Sequence, residues 1–285
     1  MSIVVMADSG ASLPKSVLKR KDICVMPLKI EFTDGKIGTL RSEEKFDETS
    51  CIPIIRRPNI MDIREEVTKY INKGYDVLYI TISSKLSKEY KDLLELTNEF
   101  DSSQFSVVDS LNVGTGEALI VLEALECIDK GYGLKQISKY LNEIKSEVKS
   151  TYVISNFPFL YAQDICKDLM YKYIEFSDRY PVMNLNNGDT DVTFNSSSLS
   201  VAYQIVEDNI FDNISYTKTN EIIINYVSNK DVAEKIKHNL KRKFKNLNIT
   251  LVKSNSFLSL CLGNNGISYS IINKWSYRFS IRFFY

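Results

Sequence analysis

The feature that most constrains the fold is the alternation of short apolar runs with amphipathic segments in the first half of the chain. The runs include "SIVVM", "DVLYITIS" and "FSVV", and the segment 60–72 has apolar residues at helical spacing. Apolar strands that alternate with helices are typical of a parallel sheet covered by helices on both faces. The first half is therefore predicted to be an α/β domain, with "CVMPLKIEF" as one of its strands.

The second half differs because its predicted strands alternate apolar and polar residues. "TYVIS", "EIIINYV" and "ITLVK" show this pattern, and "NLNNGDTDV" contains the Asn-Gly signal of a hairpin. This pattern predicts a mixed sheet with helices on one face.

A helix is predicted to begin near Leu134 and to end near Ser150, between the two patterns. We therefore expect two α/β domains, residues 1–150 and residues 151–285. A period-two pattern in the last eleven residues, "WSYRFSIRFFY", predicts an edge strand there.

Polar side chains follow three of the predicted parallel strands at the points where these strands end. They are Asp8, Ser9, Ser83, Ser84, Asp109 and Ser110. In an open parallel sheet, ligands bind beyond the carboxyl ends of the strands, where helix N-termini offer unpaired N–H groups to an anion. The same residue types are also preferred caps of the helices that follow. Both interpretations stay open, and the two roles are compatible.

Composition argues against several classes of function. The chain has 36 basic and 36 acidic side chains, so electrostatic attraction to nucleic acid or to an anionic membrane is missing. No segment approaches the ~18 consecutive apolar residues of a membrane span. Five widely spaced cysteines fit neither a disulfide framework nor a metal cluster. We expect a cytoplasmic protein without a nucleic-acid partner, a membrane span or a metal.

Four stretches together resemble the DegV family of bacterial fatty-acid-binding proteins. "ADSGASLP" is similar to the family's T-D-S-x-A-D-L-P, and "PLKIEF" lies where its P-L-x-V run lies. "ISSKLSKEY" is similar to I-S-S-G-L-S-G-T-Y, and "VVDSLNVGTGEALIVLEAL" is similar to V-I-D-S-x-x-V-S-x-G-x-G-x-L-V-L-E-A. The order and the spacing of these stretches match across residues 1–130.

This resemblance implies a fold and a function. It implies two α/β domains with a long-chain fatty acid buried between them and its carboxylate near Ser83 and Ser84. It implies a non-catalytic carrier with no cofactor beyond the bound fatty acid. It also implies a partner kinase, which converts the presented carboxylate into an acyl phosphate.

The chain departs from the family at the expected head-group site. Where the family has P-K-T-S-Q-P-S-P, this chain has "PIIRRPNI", so Ile55 stands at the position of a threonine hydroxyl and Arg56 and Arg57 follow. Cys261 stands at the position of a histidine. A guanidinium can bind a carboxylate through two hydrogen bonds. We hypothesise that one of the two arginines points into the cleft and replaces the lost donor.

The expected kinase-docking segment departs as well. The family's Y-L-x-K-G-G-R-I is matched only by "FLYAQDICKDL", which lacks the glycines and the arginine. The resemblance therefore implies weakened docking to a fatty acid kinase.

Two alternatives to a lipid carrier remain open. One is a phosphate-handling metabolic enzyme, although the only histidine, His238, lies in a predicted solvated helix and the chain has no P-loop or G-x-S-x-G motif. The other is a diverged paralogue with little ligand affinity. The departures above favour the paralogue, and the polar residues at the strand ends oppose it.

Overall fold

The computed structural model describes residues 2–32, 35–40, 53–163, 179–216, 218–245 and 247–274. The strands are β1 (Ser2–Asp8), β2 (Ile23–Met26), β3 (Leu28–Glu31), β4 (Ile37–Leu40), β5 (Ile54–Arg56), β6 (Tyr75–Thr81), β7 (Phe105–Asp109), β8 (Val148–Val153), β9 (Tyr180–Asn186), β10 (Asp189–Ser196), β11 (Thr219–Tyr226), β12 (Leu247–Lys253) and β13 (Ile267–Lys274). The helices are α1 (Lys15–Leu18), α2 (Ile60–Asn72), α3 (Glu89–Thr97), α4 (Thr115–Asp129), α5 (Leu134–Ile144), α6 (Phe157–Ala162), α7 (Leu199–Asn213), α8 (Lys230–Lys243) and α9 (Ser256–Leu262). The edge strand predicted for residues 275–285 lies outside the described residues.

The first half forms a four-stranded parallel sheet in the order β2-β1-β6-β7. Its strands are apolar on both sides because both faces are covered. Helices α2 and α3 pack on one face, and α4 and α5 pack on the other. The predicted α/β class is confirmed.

The prediction of a single strand over "CVMPLKIEF" was wrong, because this segment forms two strands. Pro27 has no N–H to donate to a sheet, and the chain changes sheet at this residue. Strand β2 ends before Pro27 in the parallel sheet, and β3 begins after it in a separate antiparallel sheet of order β4-β3-β5.

The second half forms a six-stranded sheet in the order β10-β9-β8-β13-β11-β12. Strands β11 and β12 are parallel and the other neighbours are antiparallel, so the predicted mixed sheet is confirmed. The Asn-Gly hairpin is also present, with Asn187 at φ 52° and Gly188 at φ 80° between β9 and β10.

The predicted helix from Leu134 to Ser150 was too long. It ends at Ile144, a 3₁₀ turn follows at residues 145–147, and β8 begins at Val148. Pairing of β8 with both β9 and β13 outweighs the local helical pattern. The predicted domain boundary between residues 150 and 151 therefore falls inside β8, and the division into two domains stays a prediction.

Helices cover both faces of the mixed sheet, contrary to the prediction of one face. Helices α7 and α8 pack on one side, while α4 packs on the other against Ile223 and Ile272. Since α4 also packs on the parallel sheet, eleven of its fifteen residues are buried. A helix that is apolar on most of its circumference suits this position between two sheets. Among the described helices, none is long and apolar enough to cross a bilayer.

Candidate functional site

A cavity of about 150 Å³ lies where the first and second halves of the chain meet. One water needs only about 10–15 Å³ of such volume, so the cavity is large enough for an extended ligand. The first half contributes Leu28, Ile55, Ile82, Leu86 and Val113 to its wall, and the second half contributes Tyr152, Leu160, Met183, Leu185, Phe257, Leu258, Cys261 and Leu262. This wall is suited to an apolar chain.

The polar groups of the cavity wall are few. They are Arg56, Arg57, Ser87, Glu89, Gln163 and Thr190. The side chain of Gln163 has a structural task, because it accepts a hydrogen bond from Ile55 N at 2.7 Å and donates one to Pro53 O at 2.7 Å. These two hydrogen bonds link the end of α6 to β5.

Both arginines singled out in the sequence line the cavity, and both guanidinium groups are ion-paired. Arg56 Nε donates to Glu31 Oε2 at 3.0 Å, and Arg57 Nη2 lies 2.7 Å from Asp92 Oδ2. All of these partners are partly exposed to solvent. Binding of a head group by one of the arginines stays a prediction.

The loop after β6 carries the predicted Ser83 and Ser84. Ile82, Leu86 and Ser87 of this loop contact the cavity, whereas Ser83 and Ser84 are not among its described lining residues. Ser83 is fully buried, and its Oγ accepts a hydrogen bond from Lys85 N at 3.3 Å. Ser83 is therefore buried beside the loop residues of the wall, whereas Ser84 is exposed to solvent, and the role of both serines in binding stays a prediction.

The remaining strand-end residues form hydrogen bonds with backbone groups at the same edge of the sheet. Ser9 Oγ accepts from Leu28 N at 3.0 Å and donates to Leu40 O. Ser110 Oγ accepts from Asn112 N at 3.0 Å. Asp109 Oδ1 accepts from Ser84 N at 3.1 Å, which ties the end of β7 to the loop after β6. The interpretation as helix caps was wrong, because the N-caps of the three following helices are Pro14, Lys88 and Gly114 and none has a side-chain cap. The binding interpretation stays open.

The loop "ADSGASLP" joins distant parts of the chain through its backbone carbonyls. Asp8 Oδ1 accepts from Gly10 N at 2.5 Å, which forms the turn. The amide of Asn255, at the start of α9, then donates to the carbonyls of Ser9 at 3.0 Å and Ala11 at 3.1 Å. The loop after β1 is thus bound to the helix that forms part of the cavity wall.

Sequence reasoning singled out Asp8 but missed the two buried glutamates that form a cluster with it, one of which lines the cavity. The cluster consists of Asp8, Glu89 and Glu117, each with 0% or 1% of its surface exposed. Tyr79 OH donates to Glu89 Oε1 at 2.8 Å. The Asp8 and Glu89 side chains are hydrogen-bonded to each other, whereas both carboxyl oxygens of Glu117 have no hydrogen-bond partner among the described residues.

Burial is the main cause that raises the pKa of all three carboxyls. Mutual repulsion adds to burial, since Asp8 raises the pKa of both glutamates. The rise is large for Glu89 and Glu117. Glu117 lies in the apolar run "GEALIVLEAL", which marks it as a buried charge, whereas Glu89 stands in a polar segment that gives no such signal.

Residues 2–274 match the model of one protein family, which is described as "Uncharacterised protein, DegV family". Among curated proteins, it is 31% identical over 155 residues to a DegV domain-containing protein of Clostridium perfringens. This match covers 52% of the chain and 56% of the relative. It is 28% identical over 171 residues to a fatty acid-binding protein of Thermotoga maritima, a match that covers 56% of the chain and 59% of the relative. The matches therefore span little more than half the length of these relatives.

Two solved structures share the fold over nearly the whole chain. A DegV lipid binding protein of Thermotoga maritima has a TM-score of 0.83 at 20% identity and covers 96% of this chain and 99% of its own. The Streptococcus pneumoniae Fatty Acid Kinase (Fak) B3 protein, loaded with linoleic acid, has a TM-score of 0.82 at 16% identity and covers 95% and 99%. Since the family model spans almost all of the described residues, the chain belongs to the DegV family.

Proposed function

We propose that this protein binds a long-chain fatty acid, or a related amphiphile, in the cavity between its two halves. The observation that carries the proposal is the apolar wall, which both halves supply. Each buried CH₂ contributes ~0.8 kcal/mol, so an acyl chain would bind here even with few polar contacts. The name of the Thermotoga maritima relative, a fatty acid-binding protein, supports this ligand class.

The head group would lie at the end of the cavity formed by the loop after β6. Ile82, Ser87 and Glu89 reach the cavity there, and the buried Ser83 and the exposed Ser84 belong to the same loop. In this proposal the strand-end residues Asp8, Ser9, Asp109 and Ser110 support the loop, and the fatty acid is a ligand that needs no separate cofactor.

The protein would hold its ligand without transforming it. His238, the single histidine, is exposed on α8 and is absent from the described cavity wall. A serine nucleophile at the cavity therefore has no imidazole base. This observation favours a carrier over a hydrolytic enzyme.

The direct test is to identify the ligand that copurifies with the protein. Protein purified without added lipid would be denatured by heat and extracted with organic solvent, and the extract analysed by mass spectrometry. We expect a long-chain fatty acid or a related amphiphile in near-stoichiometric amount. Protein that carries no lipid, and binds none of a panel of long-chain amphiphiles by calorimetry, would instead support the paralogue with little affinity.

Filling the cavity should block binding. Leu185→Trp places a larger side chain at a fully buried position of the wall. We expect at least a tenfold loss of oleic acid affinity, which corresponds to about 1.4 kcal/mol. Titration calorimetry on delipidated protein measures the affinity of each variant for oleic acid.

Leu185→Met is the matched control, because a swap that conserves volume leaves the cavity open. Val113→Phe fills the cavity from the first half of the chain and covers the case in which the tryptophan variant does not fold. Unchanged affinity in a folded cavity-filling variant would place the ligand elsewhere.

We infer weak coupling to a fatty acid kinase. The Streptococcus pneumoniae structure bears the name of such a kinase system, which supports a kinase as a partner. Residues 164–169 of the expected docking segment lie outside the described residues, so the inference rests on the missing glycines and arginine. We expect acyl phosphate formation at least tenfold slower than with the kinase's own binding protein as the control. An equal rate in a reconstituted assay would contradict weakened docking.

A further inference from the structure

The turn between β9 and β10 lies on the loop after β6, at the head-group end of the cavity. Gly188 of this turn is buried, whereas its neighbours Asn187 and Asp189 are exposed. A Cβ atom at Gly188 would lie only 2.7 Å from Ser83 Oγ and 3.1 Å from Lys85 Cδ. The backbone of the second half therefore lies directly against the side chain of Ser83, which is fully buried.

An ion pair holds the turn on this loop. Lys85 Nζ lies 2.6 Å from Asp189 Oδ2, and the two side chains are 47% and 74% exposed. Solvent and salt screen a pair as exposed as this one, so it breaks and forms again readily. Between the described residues, no backbone hydrogen bond joins the turn to the loop. Lys85 stands where the pattern I-S-S-G-L-S-G-T-Y has its first glycine, which has no side chain to form such a pair.

Three other contacts between the two halves at the cavity are hydrogen bonds with buried or partly buried partners. Gln163 at the end of α6 bonds to the backbone at β5, and Asn255 at the start of α9 donates to the loop after β1. Tyr152 OH on β8 donates to Val113 O. Of these four connections, only the one at the turn depends on an exposed ion pair, so it should open first.

The turn can move without breaking the mixed sheet. Strand β10 lies at the edge of that sheet, and among the described strands it pairs only with β9. Its register shifts between Val192 and Phe194, and a bulge of this kind bends an edge strand locally. Leu185 of β9 and Thr190 of β10 line the cavity, so a displacement of the turn would open the wall.

We propose that the turn between β9 and β10 is a latch across the head-group end, which opens when the pair between Lys85 and Asp189 breaks and so lets the ligand exchange. This inference rests on the proposed function and specifies how its site is closed. Opening the latch replaces the ion pair with two hydrated ions and breaks no backbone hydrogen bond between the turn and the loop. The rate of ligand exchange should therefore depend on these two charges and on salt.

Dissociation of a bound ligand measures the opening. cis-Parinaric acid, a fluorescent long-chain fatty acid, would be bound to delipidated protein and chased with excess oleic acid in a stopped-flow instrument. In Lys85→Met and in Asp189→Asn we expect dissociation about three to five times faster than in the wild type, which is the factor that an exposed ion pair contributes. Salt raised from about 0.05 M to about 0.5 M should speed dissociation from the wild type and leave both variants unchanged.

Exchange of the two charges tests whether the pair itself is responsible. The double variant Lys85→Asp with Asp189→Lys should restore slow dissociation, and a double variant that stays fast would overturn the latch. Lys69→Met is the matched control, because Lys69 Nζ pairs with Glu66 Oε1 at 2.7 Å on α2 and neither residue belongs to the described cavity wall. It should release the ligand at the wild-type rate.

Alanine at Gly188 tests the contact with the loop. Its Cβ would push the turn away from Ser83, so we expect dissociation about ten times faster, as overpacking by one methyl group predicts. Gly131→Ala is the matched control, since Gly188 and Gly131 have φ of 80° and 81° but a Cβ at Gly131 meets no atom within 4 Å. The backbone strain is thus the same in both variants, and only Gly188→Ala should change the rate.

Two results would overturn different claims. If the charge variants and Gly188→Ala all release the ligand at the wild-type rate, the latch is wrong and the proposed function stands. If neither cis-parinaric acid nor oleic acid binds to the delipidated wild-type protein, the proposed function fails, and the latch fails with it.

Discussion

Lys274→Met is expected to lower the free energy of unfolding by about 3–5 kcal/mol at pH 8, as removal of one partner of a buried ion pair does. Lys274 Nζ lies 2.7 Å from Glu126 Oε2 and 3.1 Å from Glu221 Oε1, and it also pairs with Glu123. The Glu123 side chain is fully buried. Without the ammonium group, three carboxylates would remain within 4.8 Å of one another. Urea denaturation measures the loss.

The size of this loss should depend on pH. Burial raises the pKa of Glu123 to about 7 in the folded protein, against 4.5 for an ordinary glutamate. An acid with a raised pKa in the folded state binds its proton more tightly there than in the unfolded state. It therefore adds to the free energy of unfolding below its unfolded pKa, and this contribution is lost as the pH rises through the folded pKa. Lys274 opposes this rise, so its removal should cost most above pH 7 and least near pH 5, where Glu123 is protonated.

Lys230→Met is the matched control for Lys274→Met. Its ammonium lies 3.8 Å from Glu234 on the exposed side of α8, and such surface pairs contribute less than about 1 kcal/mol. Equal losses in the two variants, or a loss in Lys274→Met that does not change with pH, would contradict the role assigned to the buried pair.

Asn255→Ala is expected to lower the free energy of unfolding by about 3 kcal/mol. Its Oδ1 caps α9 by accepting from Leu258 N at 2.8 Å, and a lost cap costs ~1 kcal/mol. Its Nδ2 donates to the carbonyls of Ser9, Gly10 and Ala11, which would then lack a buried donor at a further cost of ~1–3 kcal/mol. Thermal denaturation followed by circular dichroism measures the sum.

Asn98→Ala separates this effect from the general cost of removing an asparagine amide. Asn98 is exposed at the end of α3 and donates to Glu95 O at 3.1 Å, so the expected loss is within ~0.5 kcal/mol. Comparable destabilisation of the two variants would show that the contact between Asn255 and the loop after β1 adds little.

The secondary-structure pattern predicted both large sheets because burial imposes it on the sequence. Strands buried on both faces are continuously apolar, as in "SIVVM", and the second half alternates more. Pattern alone failed where long-range pairing decides the local structure. Residues 145–150 suit a helix locally, yet β8 begins at Val148 because β9 and β13 lie on either side of it.

The candidate site was predictable only in part. The resemblance drew attention to Ile55, Arg56, Arg57 and Cys261, and all four line the cavity. Of the strand-end hydroxyls that the sheet pattern favoured, those of Ser83 and Ser110 form local turns, whereas that of Ser9 links the end of β1 to β3 and β4. The acid cluster could not be foreseen, because Asp8, Glu89 and Glu117 are far apart in the sequence and only Glu117, inside an apolar run, has a sequence signal of burial.

The position of α4 between two sheets has a consequence for the order in which the chain acquires its structure during synthesis. The parallel sheet and α4 have been synthesised once the ribosome reaches residue 129. Strand β13, which packs on the other side of α4, begins only at residue 267. Domains generally form from the N-terminus as they emerge. The apolar side of α4 that packs on β13 therefore stays uncovered by that strand until β13, the last described strand of the mixed sheet, has been synthesised. Completion of the cavity wall coincides with that last step, because α9 emerges immediately before β13.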